Sequence, residues 1–304
     1  MKKVKFTNEI PKRLDSALAQ YLNLSRSKIE KIIALGVVLV NNNIATKKTL
    51  VRKKDKVEYD EKLINIKKTK IEPKKINLEI IFEDKDVLVI NKPSGILIHQ
   101  TESSQETTLF DLLCKKIRGF ANIGDNPLRG GIVHRLDKMT SGVLIVAKNK
   151  KAFEHLKEQF KSRGVQKKYS TLVHGVMDKK QDTITLSIER SKTTGRMAAK
   201  PISQGGKEAI THYVVIKQYP HHALLDVTIE TGRTNQIRAH MFAIGHPIVG
   251  DKLYKQKTQK LMDIGRIFLH AQELNITLPS KEQKTFCAKL PAELEEVLKI
   301  IPKI

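Results

Sequence analysis

The segment HRLDKMTSG at 134–142 brings a histidine, an arginine, an aspartate, two hydroxyl side chains and a glycine into one short loop. Two other segments carry groups fit for chemistry. One is Lys168-Tyr169 at the start of a strand-like run. The other is TGRTNQIRAHM at 231–241, where Thr231-Gly232 ends a strand, Thr234 is placed to cap a helix, and Arg233 projects from the junction. Singly, each has an ordinary structural explanation. A loop aspartate such as Asp137 most often serves as a turn or cap residue. Tyr169 by default anchors a core with its hydroxyl at the surface, and Arg233 is by default a surface cation. His134 reads as a hydrogen-bonded residue holding its loop, with Thr140 and Ser141 satisfying loop backbone groups. These three segments are the constellations in the chain that could carry chemistry, and none of them decides it alone.

The elements around these residues must position them. Gly131-Ile132-Val133 and Val143-Leu144-Ile145-Val146 flank the loop and read as buried strands. From Leu78 onward strand-like runs outnumber helices: NLEIIFEDKDVLVINKPSG, KKYSTLVHG, TITLSI, THYVVIKQY and HALLDVTIE read as strands. TTLFDLLCKKIRG and AFEHLKEQFKSRG read as helices, the second capped by Asn149 and stopped at Gly164. Strands in adjacent groups predict an α+β domain with a mixed, mainly antiparallel sheet. The stretch at 189–208, polar, basic and glycine-containing, predicts a mobile loop.

The chain has 304 residues with 56 Lys and Arg against 32 Asp and Glu, a net charge of +24. That excess exceeds what solubility asks for and points to a polyanionic partner, with nucleic acid first and a membrane surface second. No run approaches the ~18 apolar residues of a spanning helix, and the N-terminal stretch lacks the apolar core of a signal peptide, so the expectation is a cytoplasmic protein, by default a monomer. Cys114 and Cys287 read as free, buried thiols in a reducing compartment. The histidines show no zinc spacing with them, and Gly206-Lys207 lacks the rest of a phosphate loop, so no metal is expected. There is no repeat of fixed period.

A basic, proline-containing stretch at 62–77 separates two patterned regions, giving expected domains at 11–61 and 78–304. In the first, SRSKIEKIIALG predicts an amphipathic helix with Ser27 and Glu30 at capping-box spacing. It leads into Val37–Val40, the turn Asn41-Asn42-Asn43 and a basic strand ending in VRKKDKVEY. The order RLDSALAQYL, LSRSKIEKIIALGVVLVN, then KTLV and DKVE resembles the small α/β RNA-binding domain first described in ribosomal small-subunit protein four. The resemblance implies that Arg13, Arg26, Ser27, Lys28 and Lys31 face RNA, where phosphate contacts fix position more than sequence.

In the second region, HRLDKMTSG, KKYSTLVHG and TGRTNQIRAHM occur in an order that resembles the RluA-type pseudouridine synthases, supported by NKPSGILIH at 91–99, HPIVGDKLY at 246–254 and FLHA at 268–271. The departures are Met139 in place of a polar residue, Asn235 in place of histidine, and LPS at 278–280 in place of the usual His-Pro. The resemblance implies the pseudouridine synthase fold and an isomerase that breaks the N1–C1′ bond of uridine, turns the uracil and joins C5 to C1′. No group is lost and no redox change occurs, so no cofactor is expected.

Where a hydrolytic glycosidase pairs two carboxylates, this chemistry can use one, since no water attacks. The resemblance gives that role to Asp137 and leaves open attack on C1′, addition to the base, or proton abstraction from the sugar. It makes Arg233 the cation beside Asp137, an arginine fork holding a carboxylate in fixed orientation. It makes Tyr169 the stacking partner of the uracil and a candidate for removing the C5 proton. The target nucleotide must leave its stack, with Arg135 filling the vacated space and His134 a further RNA contact. Large-subunit ribosomal RNA is the expected substrate, with transfer RNA and a non-catalytic RNA-binding or ribosome-assembly role as alternatives. A hydrolytic nucleotide glycosylase is a third reading, excluded if no abasic sites form.

Overall fold

Every residue of the strand Ser141–Ala147 is buried, the pattern of a strand covered on both faces. It lies inside the larger of two compact units, Met1–Lys74 and Lys75–Ile304. The structure is a computed structural model and describes residues 2–5, 11–22, 24, 26, 29–30, 33, 38–46, 48–59, 77–100, 106–191, 193–255, 262 and 264–301.

In the first unit, β1 (Lys2–Lys5), β2 (Lys12–Arg13), α1 (Leu14–Leu22), β3 (Val38–Val40), β4 (Asn43–Ile44), β5 (Leu50–Val51) and β6 (Lys56–Tyr59) follow in order. They form a sheet of order β1-β6-β3-β4 and a small β2–β5 ladder. Asn41 and Asn42 turn the β3–β4 hairpin at φ 50 and 68, a left-handed conformation that asparagine tolerates. Leu14, Leu18, Ile29, Ile33, Val38, Val51 and Val57 make the core. Of the helix expected over 25–36, Arg26, Ile29, Glu30 and Ile33 are helical, and its other residues, Ser27, Lys28 and Lys31 among them, lie outside the described residues. So does the linker region from 62 to 76.

The second unit runs β7 (Glu79–Glu83), β8 (Val87–Lys92), α2 (Leu109–Lys116), β9 (Ser141–Ala147), α3 (Lys150–Lys161), β10 (Gln166–His174), β11 (Gln181–Arg190), β12 (Met197–Lys200), β13 (Lys207–Gln218), β14 (His222–Ile229), α4 (Gln236–Ala243), β15 (Leu269–Thr277), β16 (Gln283–Cys287) and α5 (Ala292–Ile300). Its ten-stranded sheet has the order β12-β11-β13-β14-β10-β15-β9-β8-β7, with β16 also on β15. The pair β9–β15 is parallel and the other pairs are antiparallel, so the sheet is mixed and mainly antiparallel. The Asn149 side chain accepts from the Ala152 amide and starts α3, as its position predicts.

Three local expectations are corrected. Gly131-Ile132-Val133 is not a strand, because its two-glycine run with Gly130 leaves little to pack, and only Ile132 bridges to Val146. The stretch at 189–208 is built into the sheet as β12, a turn at Ile202–Gln204 and the start of β13. It is docked on α4, with the Arg196 guanidinium 5.0 Å from the Phe242 ring centre, while the Tyr254 hydroxyl donates to the Met197 carbonyl at 2.7 Å. Cys287 is exposed at the end of β16 and Cys114 is partly exposed, because each occupies the outward side of its element. Among the described residues, no helix is long and apolar enough to cross a membrane.

Candidate active site

The loop 134–142 is held from beneath by charged groups that have lost their water. Lys92, at the end of β8 and fully buried, donates to the carbonyls of Thr140, Pro93 and Lys138 at 2.8, 2.9 and 3.2 Å. An ammonium has three donors, and three backbone acceptors from two segments use them. Burial, with a smaller push from Arg266, brings this amine down to about 7. Ser94 adds a bond to the Met139 carbonyl at 2.8 Å, and the Gly95 amide one to Lys138 at 2.8 Å.

The far end of the loop enters β9 through Ser141. Arg266 Nη2 donates to Ser141 Oγ at 2.6 Å, Ser141 donates to His270 Nδ1 at 2.8 Å, and His270 Nε2 donates to the Ala288 carbonyl at 3.1 Å. The direction follows from chemistry, since a guanidinium only donates and a carbonyl only accepts. Burial keeps His270 neutral, consistent with that tautomer. Gly142 has φ 118 and its Cα faces the Ala271 carbonyl so closely that a Cβ would collide with it.

His134 is committed to the same scaffold. Its Nε2 accepts the Ile145 amide at 3.1 Å, its ring stacks on Phe160 at 4.5 Å between centres, and burial lowers its pKa to about 3. The expected RNA contact is therefore replaced, on this nitrogen, by an internal bond made by a neutral ring.

Asp137 faces a cleft of about 380 Å³. The cation that meets it is Arg238, not Arg233: Arg238 Nη1 donates to Asp137 Oδ2 at 3.1 Å. Arg238 is itself fixed by Asp251, a buried carboxylate that accepts its Nε and Nη2 at 2.7 and 3.0 Å, and by Asn235 Oδ1 at 3.1 Å. The Asp251 carboxylate also takes the Leu253 and Tyr254 amides, so this buried charge is fully bonded. Arg233 also lines the cleft, but its Nε donates to the Glu208 carbonyl at 3.0 Å. The reason is helical geometry. Arg233 precedes the helix, whereas Arg238 lies in the first turn of α4, where side chains lean toward the N-terminus and the loop.

The start of α4 departs from expectation as well. Its cap is Asn235, in the left-handed region at φ 54, rather than Thr234. Gln236, 3% exposed, organises the turn: its Oε1 accepts from the Thr231 hydroxyl and the Arg233 amide, and its Nε2 donates to Ile210 and Thr211. Sequence reasoning passed over Gln236, Arg238 and Asp251. The legible clue was Asp251 itself, in HPIVGDKLY, an acidic residue amid apolar ones that requires a partner.

Tyr169 on β10 is nearly buried beside Asp137 and lines the cleft. Burial, reinforced by the Asp137 charge, raises its pKa far above the ordinary phenol range. That works against a phenolate removing a C5 proton and leaves a neutral aromatic surface. Arg135 is exposed at the cleft, and Arg129 lines it too. In the first unit, Arg13 and Arg26 both bond the buried Asp15 at 2.9 Å and keep about half their surface exposed. Burial of Asp15 opposes ionisation, but bonds from Arg13, Arg26 and the Ser16 amide outweigh it and hold the carboxyl at about 2.

Comparison with known proteins follows the same division. Residues 86–243 match the family model for RNA pseudouridylate synthase, and residues 12–57 match the S4 domain. A protein described as an uncharacterized RNA pseudouridine synthase of Synechocystis sp. is 35% identical over 292 residues, covering 94% of this chain and 88% of that one. A ribosomal large subunit pseudouridine synthase D of Buchnera aphidicola is 34% identical over 304 residues, covering 94% and 93%. Among solved structures, human RNA Pseudouridylate Synthase Domain Containing 1 is similar with a TM-score of 0.58 and 30% identity, covering 75% of this chain and 97% of that one.

Proposed function

This chain belongs to the RNA pseudouridylate synthase family, in its RluA-type branch with an N-terminal S4 domain, and is an isomerase; from that premise we propose that Asp137 is its catalytic carboxylate and large-subunit ribosomal RNA its substrate. The observation that carries the site is the Asp137–Arg238–Asp251 chain, one carboxylate at a cleft with its orientation set by a guanidinium that a second, buried carboxylate fixes. Such a fork fixes geometry better than a lone ammonium would. Asp137 acts on the sugar or base as the N1–C1′ bond opens, Tyr169 offers the face on which the uracil stacks and turns, and the C5 proton is released after C5–C1′ forms.

The nucleotide is flipped from its stack to reach Asp137, at a cost of a few kcal/mol. Arg135, exposed next to the loop, fills the gap it leaves, while Arg129 and Arg233 take phosphate. Arg13, Arg26, Ser27, Lys28 and Lys31 of the first unit are assigned to sequence-independent RNA contacts. Support for ribosomal RNA is the name of the Buchnera relative. The test is pseudouridine mapping by carbodiimide-stop sequencing in a strain lacking the gene and in one carrying Asp137→Ala. Loss of the same large-subunit sites in both is the expected result. Loss of transfer RNA sites instead overturns the substrate, and sites that persist with Asp137→Ala overturn the catalytic assignment.

A further inference from the structure

Lys167 is 8% exposed, lines the cleft, and carries no hydrogen bond or ion pair among the described residues. Its neighbour Lys168, on the opposite face of β10, pairs with Asp226 at 2.6 Å. An unpaired, dehydrated amine is costly, and buried lysines are ordinarily paired. Side chains alternate along a strand, so Lys167 shares its face with Tyr169, about 7 Å away along β10. It pairs across the sheet with Leu274, and Phe160, His134 and Ile229 line the same part of the cleft. Burial, with a smaller push from the Arg163 charge, draws its amine down to about 8. His134 is neutral, and Asp137, the one carboxylate lining the cleft among the described residues, is engaged by Arg238. Among the described residues, therefore, no counter-charge for Lys167 stands in the cleft, and the substrate is left to bring one.

We infer that Lys167 is a further catalytic residue, whose ammonium hydrogen-bonds a uracil carbonyl oxygen and stabilises the negative charge that the base acquires during the reaction. The inference rests on the reading of this cleft as the uridine site. When N1–C1′ breaks, its electron pair stays on the uracil, spread over N1, O2 and O4. Addition of Asp137 to C6 of the base places charge on O4, and expulsion of the base after proton loss from the sugar leaves it over N1, O2 and O4. The pair is then used by C5 to bond C1′; the C5 proton leaves, N1 gains one, and Lys167 has neither lost nor gained a proton.

Any of the open routes therefore needs a donor at the base, and a site with little water makes that donor effective. A phosphate is a poorer occupant, since it must shed its hydration to reach a nearly covered amine. Arg129 offers an exposed guanidinium for phosphate, with no ion pair among the described residues.

The test compares wild type, Lys167→Met and Asp137→Asn as full-length proteins in single-turnover tritium release from total RNA labelled with [5-³H]uridine and taken from a strain lacking the gene. For Lys167→Met the expected result is a saturating rate reduced on the order of 100-fold, with the half-saturating enzyme concentration and its salt dependence unchanged. Its melting temperature should rise, because an unpaired amine becomes a methyl thioether, and this separates lost chemistry from lost fold. A raised half-saturation with a salt slope smaller by about one ion and an intact saturating rate makes Lys167 a phosphate contact and overturns the inference, as does an unchanged rate. Full activity of Asp137→Asn would bring down the reading of the cleft itself, whereas an inactive Asp137→Asn beside a fully active Lys167→Met removes only the role given to Lys167.

Discussion

Replacing Arg238 by Met separates what that residue does for the fold from what it does for Asp137. The guanidinium makes two bonds to Asp251, at 2.7 and 3.0 Å, and one to Asp137, at 3.1 Å. Asp251 is 1% exposed, so Arg238→Met leaves a carboxylate buried without its counter-ion, at a cost of about 3–5 kcal/mol. At about 2–4 °C per kcal/mol for a unit of this size, the melting temperature falls by roughly 6–20 °C. Asp137 loses one charge-assisted bond, about 1.5–3 kcal/mol, which, if it orients the carboxylate in the transition state, corresponds to a rate loss of about 10- to 150-fold. Adding Asp251→Asn removes the stranded charge while leaving an oxygen for the Leu253 and Tyr254 amides. The double variant should then regain most of the melting temperature and none of the rate. Single-turnover tritium release and differential scanning calorimetry on the same preparations read the two quantities. Recovery of rate in step with melting temperature would refute the orienting role, and so would Arg233→Met losing as much rate as Arg238→Met.

Other consequences follow from the charges and the backbone. Lys167 has a folded pKa of about 8 against an ordinary value of 10.5, so the unfolded chain binds the extra proton between those values. The stability penalty is then fully present below pH 8, worth about 3 kcal/mol, and disappears by pH 10.5. The advantage of Lys167→Met over wild type in urea unfolding should be largest at pH 7 and vanish near pH 10.5; an advantage independent of pH would contradict this. Asp15 has the opposite sign. Its depressed carboxyl, near 2 rather than 3.8, contributes stability above pH 4 that is lost as pH falls toward 2. The gap between wild type and Asp15→Asn in circular dichroism of the first unit's signal should close over that interval, and a gap that persists at pH 2 argues against the Arg13–Asp15–Arg26 cluster as its source. Gly142→Ala forces a Cβ into the Ala271 carbonyl at φ 118, so a loss of at least about 2 kcal/mol is expected in chemical denaturation, and a loss below about 0.5 kcal/mol would mean the β9–β15 junction yields.

The parts of this architecture legible in sequence were those written in apolar periodicity and end signals. Val143–Val146 reads as a buried strand and is one, and Asn149 reads as a cap and accepts the Ala152 amide. The loop at 134–142 stood out because polar residues emerge from such a core. Charged residues inside the core leave no comparable trace. Lys92, Lys167 and Arg266 look in sequence like any surface charge, and only the fold shows that they are covered. The assignment of Arg233 as the cation beside Asp137 failed for a related reason. Both lie in TGRTNQIRAHM, and placing them needs the phase of the helix, which turns on whether Thr234 or the left-handed Asn235 is its cap, two residues that both suit that position.

The cations of the cleft form a series in hydration, and the series matches the order in which an RNA would meet them. Arg129 and Arg135 are exposed and keep their water, so any attraction they exert on a polyanion is long-range and weakens with salt. Arg238 is mostly covered, and its donors are spent on Asp137, Asn235 and Asp251, so it attracts nothing and only orients. Lys167 is nearly dry and, among the described residues, unpaired, and its charge becomes favourable when a polarisable base stands as its partner. A chain of net charge +24 could have crowded the cleft with exposed lysines and bound RNA more tightly. That would lower the energy of substrate and transition state alike and leave the chemical step untouched. Placing one cation where the base must go, at a cost to the folded state, makes the interaction strongest when the uracil carries charge.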